Sequence, residues 1–145
     1  MSKRDSRLVH HDLCFGCGPA NLFGLQLELE RRPGGGVEGR FFVKQDHQGP
    51  PGYAHGGVLA AALDEAMALL LHGEEVFAVT GRLEVDLLAP APVGTFVRVA
   101  AELEGSEERS VLLRASAFGE AGNEVAGARG IFVRAQRGRA GADGG

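Results

Sequence analysis

The chain has 145 residues, enough for one hydrophobic core and too few for a comfortable second one, so a single domain is expected. Its 15 basic and 19 acidic side chains are spread along the sequence for a formal charge of -4, which leaves no basic stripe to neutralise phosphates and excludes nucleic acid as the expected partner. No apolar run reaches the roughly 18 to 20 residues that cross a bilayer, because Val58 to Leu71 is short and is interrupted by Asp64 and Glu65, so no membrane partner is expected. Met1-Ser2-Lys3-Arg4-Asp5 lacks the apolar core of a signal peptide, and a cytoplasmic location is the expectation.

Residues 1–12 are polar and aperiodic, and residues 136–145 are mostly Gly, Ala and charge; both read as loose flanks of a domain over residues 13–135. Leu25-Gln26-Leu27-Glu28-Leu29-Glu30 alternates as a half-buried strand does, and Pro33-Gly34-Gly35-Gly36 turns it into a second strand over Val37 to Val43. Asp46 to Tyr53 is an irregular loop rich in Gln, Gly and Pro. A helix then runs from near His55 to about His72. Four strand patterns follow, over Val79–Leu87, Val97–Leu103, Val111–Phe118 and Val125–Val133, with turn residues between them. Two strands, one helix and four strands predict an α+β fold. Val58, Leu59, Leu63, Met67, Leu69, Leu70 and Leu71 lie nearly all round the helix, so an antiparallel sheet must wrap it.

Two features of this helix bear on function. Gly56 and Gly57 at its start let backbone approach a ligand, and the first amides of a helix have no partners within it, so this end suits a carbonyl oxygen gaining negative charge. The same glycines would also serve a plain tight turn capped by His55. Eight residues on, Asp64 stands in an apolar helix, where an unpaired charge costs several kcal/mol. Its helical neighbours Ala60, Ala61, Met67 and Ala68 are mostly small and leave room beside it, while Glu65, about 100° round the helix, is expected to face solvent. Gly56 and Asp64 are about 12 Å apart along a helix, too far to serve one carbonyl. If both act, the helix start of one subunit must meet Asp64 of another in a symmetric dimer.

Cys14 and Cys17 are the two cysteines, and His11-x-x-Cys14-x-x-Cys17 with His10 beside it has ligand-like spacing. A structural zinc draws its ligands from two separate segments, so the cysteines are read as small apolar fillers in a loop, with no metal and no cofactor expected.

His55-Gly56-Gly57 at a helix start, an Asp nine positions after that His, and the order of elements resemble the hotdog-fold acyl-CoA thioesterases of the PaaI-like group, in the 4-hydroxybenzoyl-CoA thioesterase superfamily. Cys14-Phe15-Gly16-Cys17-Gly18-Pro19-Ala20-Asn21, Gly24-Leu25 and Leu83 to Gly94 are similar to segments of many members, so the resemblance spans about residues 14 to 134. It implies a curved antiparallel sheet around one long central helix, a homodimer with a continuous sheet or a dimer of dimers, and an acyl-CoA substrate. By the same resemblance Gly56 polarises the thioester carbonyl, Asp64 of the partner is general base or nucleophile, and His55 and Gly57 shape the turn. Thr80 matches a Ser or Thr that positions water in some members, and otherwise is an ordinary strand threonine. Gln48, Tyr53, Met67, Ala68 and Arg82 are the expected substrate contacts.

The sequence departs from the family at Gly49, where many members have Asn, so polar help from that loop falls to Gln48, His47 or nothing. It departs again at Ala89, where an Arg often faces CoA phosphates; Arg82 or Arg98 would have to substitute. Hydratases of the same fold place His and Asp on short spacing and fit poorly. The alternative is a non-catalytic protein that binds acyl-CoA.

Overall fold

The computed structural model describes residues 6–135; the expected loose tail over 136–145 and the first five residues lie outside them. Seven strands form one sheet: β1 (Arg7–Leu8), β2 (Glu28–Arg31), β3 (Val37–Phe42), β4 (Ala78–Leu87), β5 (Phe96–Ser106), β6 (Ser110–Phe118) and β7 (Glu124–Arg134). A 3-10 turn at Gln45–His47 leads to one long helix, α1 (Gly56–Gly73). The sheet order is β1-β2-β3-β5-β6-β7-β4, and every pairing is antiparallel.

Alternation decides which face meets the helix. Val97, Val99 and Ala101 of β5 and Val111, Leu113, Ala115 and Ala117 of β6 are buried against α1, and Arg98 and Arg114 point to the outer face. Every strand touches the helix, which is what a wrapped sheet requires. Leu59, Leu63, Met67, Leu69, Leu70 and Leu71 are buried on α1, each contributing about 1.5–3 kcal/mol of transfer free energy. By length and mean hydropathy (1.3) α1 is long and apolar enough to cross a membrane, but its leucines and Met67 are buried in the core of the protein.

Three expectations need correction. The strand expected from Leu25 begins only at Glu28, because the Leu25 and Leu27 amides donate to Phe15 O (2.8 Å) and Gly16 O (2.9 Å) and Gln26 takes a left-handed φ of 52°. Residues 7–12, expected to be loose, are tied in: Arg7 and Leu8 pair with Glu30 and Leu29, and the Arg7 guanidinium reaches Cys17 O and Leu27 O. Met67 is wholly buried and its Sδ and Cε lie over Gly130 of β7, so it belongs to the core of the protomer.

The two edges of the sheet differ. β1 is two residues long, whereas β4 offers ten residues with one row of backbone groups unpaired and with Val79, Leu87 and Leu88 more than half exposed.

Candidate active site

His55 caps α1. Its carbonyl accepts the Val58 and Leu59 amides (2.9 and 3.3 Å), and its Nδ1 accepts the Gly57 N–H at 2.8 Å. The Gly56 N–H, by contrast, has no acceptor among the described residues, so of the two helix-start glycines only Gly56 presents a donor. A Cβ at Gly56 would collide with the Leu87 side chain of β4, and one at Gly49 with the His55 backbone. Close approach to backbone therefore requires glycine at 49, whereas at 56 the exposed Leu87 side chain would have to swing aside.

His47 fixes this end from behind. Its Nδ1 accepts the Lys44 amide at 3.1 Å, its Nε2 donates to Gly24 O at 3.2 Å, and its carbonyl accepts the His55 N–H at 2.8 Å. Burial holds its pKa below the ordinary value, so the ring is neutral. With both nitrogens used, His47 has no free polar atom for a substrate.

Asp64 lies two turns along α1. Thr80 Oγ1 donates to Asp64 Oδ1 at 2.7 Å, and no protein donor among the described residues takes Oδ2. The strand places the threonine by a bulge. Thr80 pairs with Phe132 and Arg82 with Ile131, so Gly81 is the extra residue. Phe132 is buried against the helix and Ile131 is exposed, so Thr80 shares the helix face and Arg82 the outer face.

The structure thus brings Asp64 and Thr80 together and keeps Gly56 about 12 Å away on the same helix. The other expected contacts do not all join them. Arg82 pairs with Glu84 (3.2 Å) away from Asp64, and Arg98 stacks 4.4 Å above Phe118, also outside. Gln48 spends its Oε1 on the Gly52 amide (2.6 Å), and Tyr53, 41% exposed, bridges to Pro92. Ala68 remains half-buried beside Asp64, one helical turn on.

Glu65 is not in solvent. Its carboxylate, 12% exposed, accepts from His10 Nδ1 at 2.8 Å and from Cys14 Sγ at 3.4 Å. Its hydrogen bond lifts the His10 pKa to about 9 against the opposing effect of burial. Burial would raise Glu65, but the His10 and cysteine hydrogen bonds outweigh it and hold the carboxyl below its ordinary value. Burial, reinforced by the Glu65 carboxylate, pushes the Cys17 thiol far up. Sequence reasoning missed this contact; the one signal for it was Gly16, where a Cβ would strike the Glu65 carboxyl.

Residues 51–126 match the family model described as the thioesterase superfamily. Human acyl-coenzyme A thioesterase THEM5 is 33% identical over 92 residues, covering 61% of this chain and 36% of that protein, so the chain spans just over a third of its length. A thioesterase superfamily protein of solved structure has a TM-score of 0.79 at 24% identity, over 84% of this chain and 60% of that one. A hypothetical thioesterase from Streptococcus pneumoniae, solved with coenzyme A, has a TM-score of 0.70 at 18% identity, over 75% of this chain and 85% of its own. That protein was also solved as two single variants, one with Ala in place of an Asp and one with Ala in place of a Thr sixteen residues further on.

Proposed function

The chain belongs to the thioesterase superfamily, and from that premise we propose that it hydrolyses an acyl-CoA to the free acid and the thiol. The observation that carries this reading is the 2.7 Å hydrogen bond from Thr80 to Asp64, which holds one carboxylate oxygen and leaves the other free. Asp64 and Thr80 are sixteen residues apart, the same spacing as the Asp and Thr replaced in the Streptococcus pneumoniae protein.

The thioester oxygen accepts the free Gly56 N–H of one subunit, which polarises the carbonyl as charge develops on it. The Asp64 carboxylate of the second subunit takes a proton from water, whose oxygen bonds to the carbonyl carbon. The C–S bond then breaks and the sulfur leaves with that proton as a thiol. Direct attack by Asp64, followed by hydrolysis of the anhydride at the Asp64 carbonyl, uses the same atoms; label found in the protein after a single turnover in ¹⁸O-labelled water identifies that route, since general-base hydrolysis puts label only into the product acid.

A two-subunit site is supported by the β4 edge. Its unpaired backbone row and exposed Val79, Leu87 and Leu88 suit isologous pairing with a second β4, and Leu87 lies against Gly56, so that interface runs past the helix start. The acyl-CoA class is supported by the human relative and by the coenzyme A bound to the Streptococcus pneumoniae protein.

The test is a panel of short, medium, long and aromatic acyl-CoAs, followed by free thiol. Release that disappears in Asp64→Ala while the variant stays folded and dimeric is the expected result. Binding without release across the panel would replace the hydrolase by an acyl-CoA-binding protein, and an active monomer would overturn the shared site.

A further inference from the structure

On the other side of α1 from Asp64, four side chains from three places in the chain converge. His10 follows β1, Cys14 and Cys17 sit on a glycine-rich turn, and Glu65 projects from the middle of the helix. One ligand atom from each lies within 4.8 Å of the others. From this geometry we infer that the cluster is a structural site for a divalent transition ion, zinc first, bound by His10 Nδ1, Cys14 Sγ, Cys17 Sγ and a Glu65 carboxylate oxygen. The sequence spacing argued against zinc because it offered one segment only. The helix supplies the second.

The distances between the ligand atoms suit a tetrahedron. Zinc bonds of about 2.3 Å to sulfur and about 2.0–2.1 Å to nitrogen and oxygen give ligand-to-ligand edges of about 3.6 Å where one atom is sulfur and about 3.4 Å between nitrogen and oxygen. Three of the five edges that include sulfur measure 3.8 Å (Cys14 to His10), 3.6 Å (Cys17 to His10) and 3.4 Å (Cys14 to Glu65). The Cys14–Cys17 and Cys17–Glu65 edges lie within 4.8 Å, and the nitrogen–oxygen edge, His10 to Glu65, is a 2.8 Å hydrogen bond that would open by about 0.6 Å as the ion replaces the shared proton.

The surroundings are built for the cluster. The His10 backbone N–H points at Cys17 Sγ (3.2 Å), as amides do toward thiolates, and Gly18 N–H to Cys14 O (2.8 Å) folds the turn so that both sulfurs face one side. A Cβ at Gly16 would displace the Glu65 carboxyl, and one at Gly18 would strike the backbone of Asp12 and Cys14. Two thiolates, a carboxylate and a neutral imidazole carry three negative charges, which a dication reduces to one. The Arg7 guanidinium is bonded to the Cys17 carbonyl beside them. The two thiol protons and the His10 Nδ1 proton leave to solvent on binding, and no electrons are transferred. A mixed sulfur, nitrogen and oxygen set favours zinc over magnesium or calcium, and four protein ligands leave no open position for catalysis.

The test uses the full chain without a tag, incubated under reducing conditions with zinc chloride, desalted and measured by elemental analysis. About one zinc per chain is expected. Cobalt chloride in place of zinc should give the visible bands of a tetrahedral thiolate site. Because Cys17 is wholly buried and its replacement endangers folding, the variants are Cys14→Ser and Glu65→Gln. Each should weaken zinc retention against a competing chelator by at least about 100-fold, beyond what losing a hydrogen-bonding outer partner costs, and Cys14→Ser at saturating cobalt should cut the thiolate band to about half. Wild-type protein that holds less than about a tenth of an equivalent, recovery of Cys14 and Cys17 as a disulfide after zinc exposure, or zinc retained equally by both variants would each overturn the site.

Discussion

Asp64 and Glu65 are neighbours in sequence on one apolar helix, and their surroundings are opposite. Glu65 is turned into the chain: His10 and Cys14 both bond its Oε2, His10 as a cationic partner, and a glycine-rich turn lies over it. Asp64 receives one hydroxyl from an edge strand and keeps one oxygen free. A helix turns about 100° per residue, so one dipeptide sends its two carboxylates to different sides of the molecule. The difference teaches how to read a costly buried charge. One paired with a cation within the chain holds structure together, and one answered only by a neutral hydroxyl is available to water and substrate.

The sharpest way to break the contrast is to remove each carboxylate in turn. Asp64→Asn should lower thiol release by about 10²- to 10⁴-fold, the usual worth of a general base, with the urea midpoint little changed. Equal loss of stability and activity would put Asp64 with Glu65 as a structural group. Glu65→Ala should do the reverse and cost about 2–3 kcal/mol in urea denaturation, below the full penalty of a broken buried pair because the side chain is 12% exposed. Turnover per folded dimer should stay close to wild type.

Thr80→Val removes the hydroxyl that orients Asp64 while keeping shape. About tenfold in kcat is expected, equivalent to one hydrogen bond of roughly 1.4 kcal/mol, with KM nearly unchanged. An unchanged kcat would return Thr80 to an ordinary strand threonine.

The smallest effect concerns the helix start. His47 is kept neutral by burial, so its folded pKa lies below its ordinary 6.5. The unfolded chain then takes the proton first, and the stability due to His47 is fully present above pH 6.5 and is lost as pH falls through the folded value. Urea midpoints measured downward from neutral pH should decline more steeply in wild type than in His47→Gln. Parallel declines would remove His47 from the account.

Much of this was legible in the chain because local patterning and tertiary environment agree. The alternation of β5 and β6, the three left-handed glycines Gly34, Gly35 and Gly36 in the first hairpin and the apolar run of α1 all signal what they form. The Asp64 and Thr80 pair was visible only through the family resemblance, since nothing in a lone threonine marks a bulged strand. What escaped depends on long-range contact. Leu25 and Leu27 alternate like a strand, but their amides are taken by the cysteine turn. Glu65 looked like an ordinary surface residue because its partner His10 is 55 residues away. Arg82 was expected to stand in for the Arg missing at Ala89, and the extra residue Gly81 sends it to the face opposite Thr80.

The connection of β4 orders events during synthesis. β4 follows α1 directly, but among the described residues its one neighbour in the sheet is β7, the last of the described strands, in register from Ala78 with Arg134 to Leu87 with Ala126. A nascent chain that has emerged through β6 already holds His10, Cys14, Cys17 and Glu65, yet has nothing on which to lay the strand bearing Thr80. The cysteine turn can therefore dock on the helix while translation continues, and the Asp64 pocket takes shape only once residue 134 has cleared the ribosome.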